Sequence, residues 1–188
     1  MQTSILSTIF LAASALALPT SSGYYPPPTT PTCTSKSTSI SSWTVHDFDF
    51  HASYIFSTPA HQNSWGYANF TLENPALEEK HICSATSSQL SDFFYGTVVY
   101  ECVSVTDGDK ATFTYSRPDN VLRINQTWNC ADEGSRFTAE GGIKLDLNCK
   151  EDKYQNPDWH TGDIYSSRTI TCDKVTVTAP IETMTAVA

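Results

Sequence analysis

The feature that most constrains the fold is a pair of alternating runs within residues 120–149. In the first run, every second residue belongs to a mostly apolar set that comprises Leu122, Ile124, Gln126, Trp128 and Cys130. After the turn-rich ADEGS sequence, the second run alternates through Ile143, Leu145, Leu147 and Cys149, and Gly141-Gly142 permits a bend. This alternation is typical of half-buried strands. It predicts a central β-hairpin with a cysteine near the end of each strand, where a disulfide can clamp it.

Short β-prone runs separated by turn residues make up the rest of the chain from Trp43 onward. They cover residues 43–45, 53–57, 66–72, 80–85, 94–103, 111–115 and 168–177, with a loop at 150–162. No window has a sustained helical period with caps. The pattern therefore predicts an all-β fold, either a sandwich or a small antiparallel β-barrel stapled by disulfides, over residues 43–177. A flexible tail is expected at 178–188.

The first 42 residues have a different composition. An apolar run leads into Ala15-Leu16-Ala17, which has the small-x-small form that signal peptidase accepts, so residues 1–17 are predicted to be a signal peptide. The run is too short and too rich in serine for a membrane anchor. Residues 18–42 are rich in Pro, Ser and Thr and are predicted to be a disordered linker. We expect a secreted, extracellular protein with no membrane partner.

The cysteines and sequons fit that compartment. Six cysteines follow the predicted signal peptide, and an even number in a secreted chain predicts three disulfides, namely among Cys33, Cys83, Cys102, Cys130, Cys149 and Cys172. Sequence alone leaves about 15 connectivities open. Asn69 and Asn125 each begin an acceptor sequon on the polar parity of a predicted strand, so we expect outward-pointing glycans at both.

The formal net charge of −9 argues against a nucleic-acid partner and against an anionic membrane surface. It identifies no partner by itself, because an acidic surface also keeps a secreted protein dispersed.

Five stretches of the chain resemble the Alt a 1-like secreted proteins of fungi, a family that includes a major mould allergen and plant-interacting elicitors. They are residues 43–48 (WTVHDF), 83–85 (CSA), 100–102 (YEC), 122–130 (LRINQTWNC) and 137–149 (FTAEGGIKLDLNC). The resemblance implies a compact β-barrel, secretion and a role in contact with a host, without a generally accepted enzymatic activity.

The same resemblance implies the disulfide pairing. It pairs Cys83 with Cys102 and Cys130 with Cys149, which leaves Cys33 and Cys172 as the third pair. An N-terminal cysteine in this family can instead bridge two protomers, and of the two alternatives we predict the intramolecular pair and a monomer.

Candidate chemistry is sparse in the sequence. Asp47, Asp49 and His51 would share one face of an extended strand and could hold a divalent metal. The alternative, which we adopt, is a solvated strand end or bulge over residues 46–51, with Phe48 and Phe50 packing inward after a change of phase. The chain has no GxSxG, HExxH or phosphate-binding glycine loop, so we predict no catalytic residues, no metal and no cofactor.

Aromatic side chains are the remaining candidates for contact. Trp128 has core parity, whereas Trp65 and Trp159 occur in loop-like sequence and are candidate binding residues. A loop tryptophan can equally fix its own loop to the barrel.

The sequence therefore predicts a secreted, non-catalytic protein of the effector, elicitor or allergen type that binds an extracellular host protein. One alternative is a barrel that carries a small aromatic or lipid ligand. Another is a weak cell-wall glycoside hydrolase, which would need two facing carboxylates, one with a raised pKa.

Overall fold

The computed structural model describes residues 31–88 and 94–188, in which one short helix precedes ten strands. The helix α1 spans Cys33–Ser37, and the strands are β1 (Ser42–Thr58), β2 (His61–Glu73), β3 (Lys80–Ser87), β4 (Tyr100–Val103), β5 (Lys110–Ser116), β6 (Val121–Cys130), β7 (Ser135–Lys144), β8 (Cys149–Gln155), β9 (Ser166–Cys172) and β10 (Val175–Val187). The predicted signal peptide and residues 18–30 of the predicted linker lie outside the described residues.

Eight strands close into an antiparallel barrel in the order β1-β2-β3-β4-β5-β6-β7-β10. The ring closes because β10 pairs with β7 through its second half and with β1 through its first half. Closure pairs strand edges that an open sheet would expose. The predicted all-β class and antiparallel barrel are confirmed.

The long strand β1 joins the ring to a two-stranded extension. Residues 42–48 of β1 pair with β10, and residues 51–56 pair with β9 on the same side. Strand β8 pairs in turn with β9, so β8, β9, β1 and β2 form a continuous sheet beside the barrel closure. The predicted loop at 150–162 is therefore partly wrong, since its first residues belong to β8.

Large side chains fill the barrel interior. Leu122, Ile124 and Trp128 are at most 3% exposed, and Phe113 packs edge-on against Phe70 with ring centroids 4.9 Å apart. These side chains come from inward positions of alternating strands, as the sequence predicted for β6. Among the described residues these side chains occupy the inward positions of the barrel, which argues against a small molecule carried in its interior.

The central hairpin is confirmed, but two of the implied disulfides are wrong. Cys130 of β6 faces Ser135 across the turn, while Val121 at the other end of β6 faces Lys144. Cys149 lies beyond Lys144, and nine residues of strand at about 3.3 Å each separate the two ends by roughly 30 Å. Two cysteines whose Cα atoms are more than about 7 Å apart cannot form a disulfide, so Cys130 cannot pair with Cys149.

The structure forms three disulfides within the chain. Cys83 pairs with Cys102 directly across β3 and β4, as implied. Cys149 pairs with Cys172, its direct neighbour across β8 and β9, and Cys33 pairs with Cys130 at a Cα separation of 5.5 Å. The predicted pair of Cys33 with Cys172 is therefore wrong.

The last part of the predicted linker is ordered. Residues 33–37 form α1, the backbone nitrogen of Thr34 donates a hydrogen bond of 2.7 Å to Glu133, and Ser37 is fully buried. The prediction of disorder is thus wrong for residues 31–42. The disulfide and the buried serine hold this segment against the turn between β6 and β7.

The C-terminal residues are also ordered, because residues 181–187 of β10 pair with β7. The predicted flexible tail at 178–188 is wrong, and β10 supplies the closing strand of the barrel. Gly141 makes this closure possible: a Cβ there would lie 2.1 Å from the carbonyl oxygen of Pro180.

In the described ranges, the helical segments are too short and too polar to cross a membrane.

Candidate functional site

A bulge in β1 determines which side chains face outward on this part of the barrel. Register with both β10 and β2 shifts between residues 45 and 49, and Asp47 has a φ of +52°. Val45 is buried before the bulge, whereas Phe48 and Phe50 are buried after it. The inward-facing positions of β1 therefore change from odd to even residue numbers at Asp47, and this change of phase was predicted. Asp49 and His51 consequently point outward.

Three outward rings form a cluster on β1 and β2. The His51 ring centroid lies 4.8 Å from that of Trp65 and 5.5 Å from that of Tyr67, and the latter pair is stacked at 20°. Trp65 remains 47% exposed. We call His51, Trp65 and Tyr67 the aromatic surface.

Trp65 lies on β2, not in a loop. Ser64 and Gly66 are buried on either side of it, so the alternation that the sequence predicted from residue 66 begins earlier. The sequence identified Trp65 as a contact residue but missed its partners His51 and Tyr67. The sequence predicted that residues 67, 69 and 71 face outward. Continuing this alternation two residues back to Trp65 would have placed Tyr67 beside it on the same face.

Polar contacts fix the base of the aromatic surface. Asp49 accepts a hydrogen bond from the Tyr67 hydroxyl, and partial burial together with the negative charge of Asp49 raises the pKa of Tyr67. Lys174 lies 3.7 Å from the Asp49 carboxylate, and the Thr171 hydroxyl lies 3.3 Å from Nδ1 of His51. The contacts that support the rings thereby involve four segments of the chain: β1, β2, β9 and the turn between β9 and β10.

A charged group lies further along the same outer face. Lys80 Nζ and His46 Nε2 both contact the Glu73 carboxylate, at 2.7 Å and 2.5 Å. The hydrogen bonds from Lys80 and then from His46 lower the pKa of Glu73. This carboxylate is therefore ionised under ordinary conditions.

Exposed aliphatic side chains adjoin this face on β3 and β4. Ile82 pairs directly with Val103 across the two strands, and they are 61% and 66% exposed. Ile82 also faces Thr71 of β2, which continues the outward row that carries Trp65 and Tyr67. Exposed apolar side chains on adjacent strands are a common feature of interaction sites.

The alternative of a metal site at Asp47, Asp49 and His51 gains no support. Asp47 is the bulge residue, with its backbone nitrogen donating to the Thr176 hydroxyl, while Asp49 contacts Lys174 and Tyr67. Residues 31–88 and 94–188 contain no cluster of three potential metal ligands.

The other candidate, Trp159, fixes its own loop. Its indole nitrogen donates to the carbonyl oxygens of Ser57 and Asp163, at 3.2 Å and 3.0 Å, and its ring packs edge-on against Tyr165. These contacts favour the structural interpretation. Among the described residues no ring contact joins Trp159 to Trp65, and of the two only Trp65 belongs to the aromatic surface.

The hydrolase alternative required a carboxyl group with a raised pKa. In the described part of the chain, hydrogen-bonding neighbours lower the pKa of four carboxyl groups, those of Glu73, Glu101, Glu133 and Glu151. A lowered pKa is the opposite of what the general acid of a hydrolase requires, so these four groups do not support that alternative.

Comparison with known proteins adds one match. The family model described as Alternaria alternata allergen 1 matches residues 45–172, a span that includes the aromatic surface, most of β1 and all of β2 to β9. Neither the curated proteins nor the solved structures provided a match.

Proposed function

Because this chain belongs to the Alternaria alternata allergen 1 family, we propose that it is a secreted, non-catalytic protein that binds an extracellular host protein through the aromatic surface. The three disulfides fit an extracellular protein. The observation that carries the proposal is the exposed cluster of His51, Trp65 and Tyr67 on a barrel whose interior is already filled.

The composition of the face favours a protein partner. Trp and Tyr supply much of the binding energy at protein interfaces, particularly where they are held in place before binding. Here Asp49 holds the Tyr67 hydroxyl of the aromatic surface, and the ionised Glu73 group lies six residues further along β2. Exposed Ile82 and Val103 extend the face over four strands, which is wider than one small ligand requires.

The proposal is tested by affinity capture from host extracellular fluid. The baits are wild type and Trp65→Ala, with Trp159→Phe as a control that changes the other accessible indole. We expect wild type and Trp159→Phe to capture the same host protein. We expect Trp65→Ala to capture at least tenfold less of it, which corresponds to a loss of about 1.4 kcal/mol or more of binding free energy.

Asn69 requires a second version of each bait. It lies two residues from Tyr67 on β2 and pairs with Asp49 across β1, so a glycan there would border the aromatic surface. Each bait is therefore also prepared with Asn69→Gln. Equal capture by wild type and Trp65→Ala in both backgrounds would refute the proposed site.

A further inference from the structure

A groove on the outer face of β5, β6 and β7 surrounds Asn125, far along the ring from the aromatic surface. Its volume is about 350 Å³, and its lining includes Val99, Thr112, Arg123 and Glu140. This volume is at the low end of the roughly 300–1,000 Å³ found for small-molecule sites. It suits a ligand of about one sugar unit.

Arg123 of β6 faces Gly142 of β7, which adds no side chain to the outer face beside Asn125. Gly141, which faces Ile124, lines the groove with its backbone. The Asn125 side chain lies between Thr112 of β5 and Glu140 of β7.

The lining combines apolar and hydrogen-bonding groups in the way that an acetylated amino sugar requires. Val99 is 63% exposed and offers a methyl surface for an acetyl group. Glu140 and Glu182 are acceptors for sugar hydroxyls, and Arg123, which donates to Glu182 at 2.6 Å, is a donor for a carbonyl oxygen.

We propose that Asn125 carries an N-linked glycan whose first N-acetylglucosamine lies in this groove. In the transfer, Asn125 Nδ2 forms a bond to C1 of the sugar while the bond from C1 to a lipid-linked pyrophosphate breaks. The amide loses one hydrogen as a proton, which the released lipid pyrophosphate accepts.

The contact of Asn125 with Glu140 is compatible with this modification. Asn125 Nδ2 donates a hydrogen bond to Glu140 Oε1 at 2.7 Å, and a glycosylated amide nitrogen retains one hydrogen for it. Glu140 thus orients the amide toward the groove. The sugar covers Val99, and the fold gains buried apolar area that the unmodified chain lacks.

The test uses protein secreted from a yeast host in an Asn69→Gln background, in which Asn125 begins the remaining sequon. An endoglycosidase that leaves a single N-acetylglucosamine trims the glycan, and intact mass reports whether that sugar is present. Nuclear Overhauser effects then report whether its acetyl methyl group contacts the Val99 methyl groups. We expect both signals.

A matched pair of variants measures the contribution to stability. Thr127 and Thr138 share a hydrogen bond of 3.0 Å between their hydroxyls, so Thr127→Val and Thr138→Val both remove it, but only Thr127→Val destroys the sequon. We expect trimmed Thr138→Val to melt at least about 2 °C above Thr127→Val. An unmodified Asn125 overturns the proposal, and so does a modified Asn125 with no Val99 contact and no difference in melting temperature.

Discussion

The indole nitrogen of Trp128 donates a hydrogen bond of 2.9 Å to the hydroxyl of Ser37, and both residues are fully buried. This contact joins the C-terminal end of β6 to α1, with a separation of 91 residues in the chain. Replacing Ser37 with Ala leaves the buried indole donor without its acceptor. We expect Ser37→Ala to lower the free energy of unfolding by about 1–3 kcal/mol in urea titrations.

Ser39 provides the control for that measurement. It lies two residues later and is exposed, and both its hydroxyl and its backbone nitrogen donate to the nearby carbonyl oxygen of Lys36. Ser39→Ala should change the free energy of unfolding by less than about 0.5 kcal/mol. Equal effects of the two substitutions would contradict a buried attachment of α1.

The bond from Cys33 to Cys130 should be the most stabilising single link in the N-terminal segment. It closes a loop with a sequence separation of 97, for which chain entropy gives a stabilisation of about 4–5 kcal/mol. The double variant Cys33→Ser/Cys130→Ser should lose most of that stability relative to wild type. Thermal unfolding of the two proteins under non-reducing conditions measures it.

Disulfide mapping and electrophoresis check the pairing itself. Peptides from the unreduced protein should link Cys33 to Cys130 and Cys149 to Cys172. Non-reducing electrophoresis should give a monomer band. A dimer band that disappears with reductant, or a peptide that links Cys130 to Cys149, would show that this pairing is wrong.

The sequence predicted the strands and their inward faces because strand alternation is a local property, whereas the choice of a barrel over a sandwich came from the family resemblance. Leu122, Ile124 and Trp128 are inward for the reason that their spacing indicates, and the change of phase between Val45 and Phe48 was likewise visible in the residue pattern. Each inference needed only side chains within about ten residues.

The pairing of cysteines was not local, and there the prediction failed. Hairpin register places Cys130 at the turn and Cys149 beyond the open end, and this could have been deduced from the turn position alone. The partners of Cys33 and Cys172 depend on where α1 and β8 dock. Composition made residues 31–42 look disordered because the contacts that order them come from β6 and β7.

The buried imidazole of His81 should make stability depend on pH. His81 is 2% exposed, and neither ring nitrogen has a hydrogen-bond partner in the described part of the chain. Burial lowers the pKa of His81, although the negative charge of Asp109 opposes this shift. The unfolded chain therefore binds more protons than the folded chain as pH falls below about 6.5. Stability should decrease from pH 6.5 toward the folded pKa, by at most about 1.4 kcal/mol per pH unit.

Urea titrations of His81→Leu and His160→Gln between pH 7.5 and 5 separate this effect from other titrations. The His160 side chain is 84% exposed and serves as the control. The free energy of unfolding should depend less steeply on pH in His81→Leu than in wild type. In His160→Gln its dependence on pH should match that of wild type. An unchanged slope in His81→Leu would exclude the buried histidine as its source.

A second pH effect arises where β8 joins β9. Hydrogen bonds from Arg168 and then Lys153 lower the pKa of Glu151 to about 2. Because its unfolded pKa is about 4.3, its contribution to stability is present above that pH and is lost as pH falls toward 2. Glu151→Gln should therefore reduce the loss of stability between pH 5 and 2.5, measured by urea titration, whereas exposed Glu79→Gln should not. Identical acid profiles for wild type and Glu151→Gln would contradict this assignment.

The central claim, that the aromatic surface binds a host protein, is tested most directly by photocrosslinking in host extracellular fluid. A benzophenone side chain replaces Asn63, which is exposed on β2 two residues from Trp65, or replaces exposed Thr185 on β10 as the control. We expect position 63 to crosslink one host protein, with the adduct reduced at least tenfold when Trp65→Ala is added, and position 185 to give no such adduct. The same adduct from both positions, or an adduct at position 63 that is indifferent to Trp65→Ala, would contradict the claim.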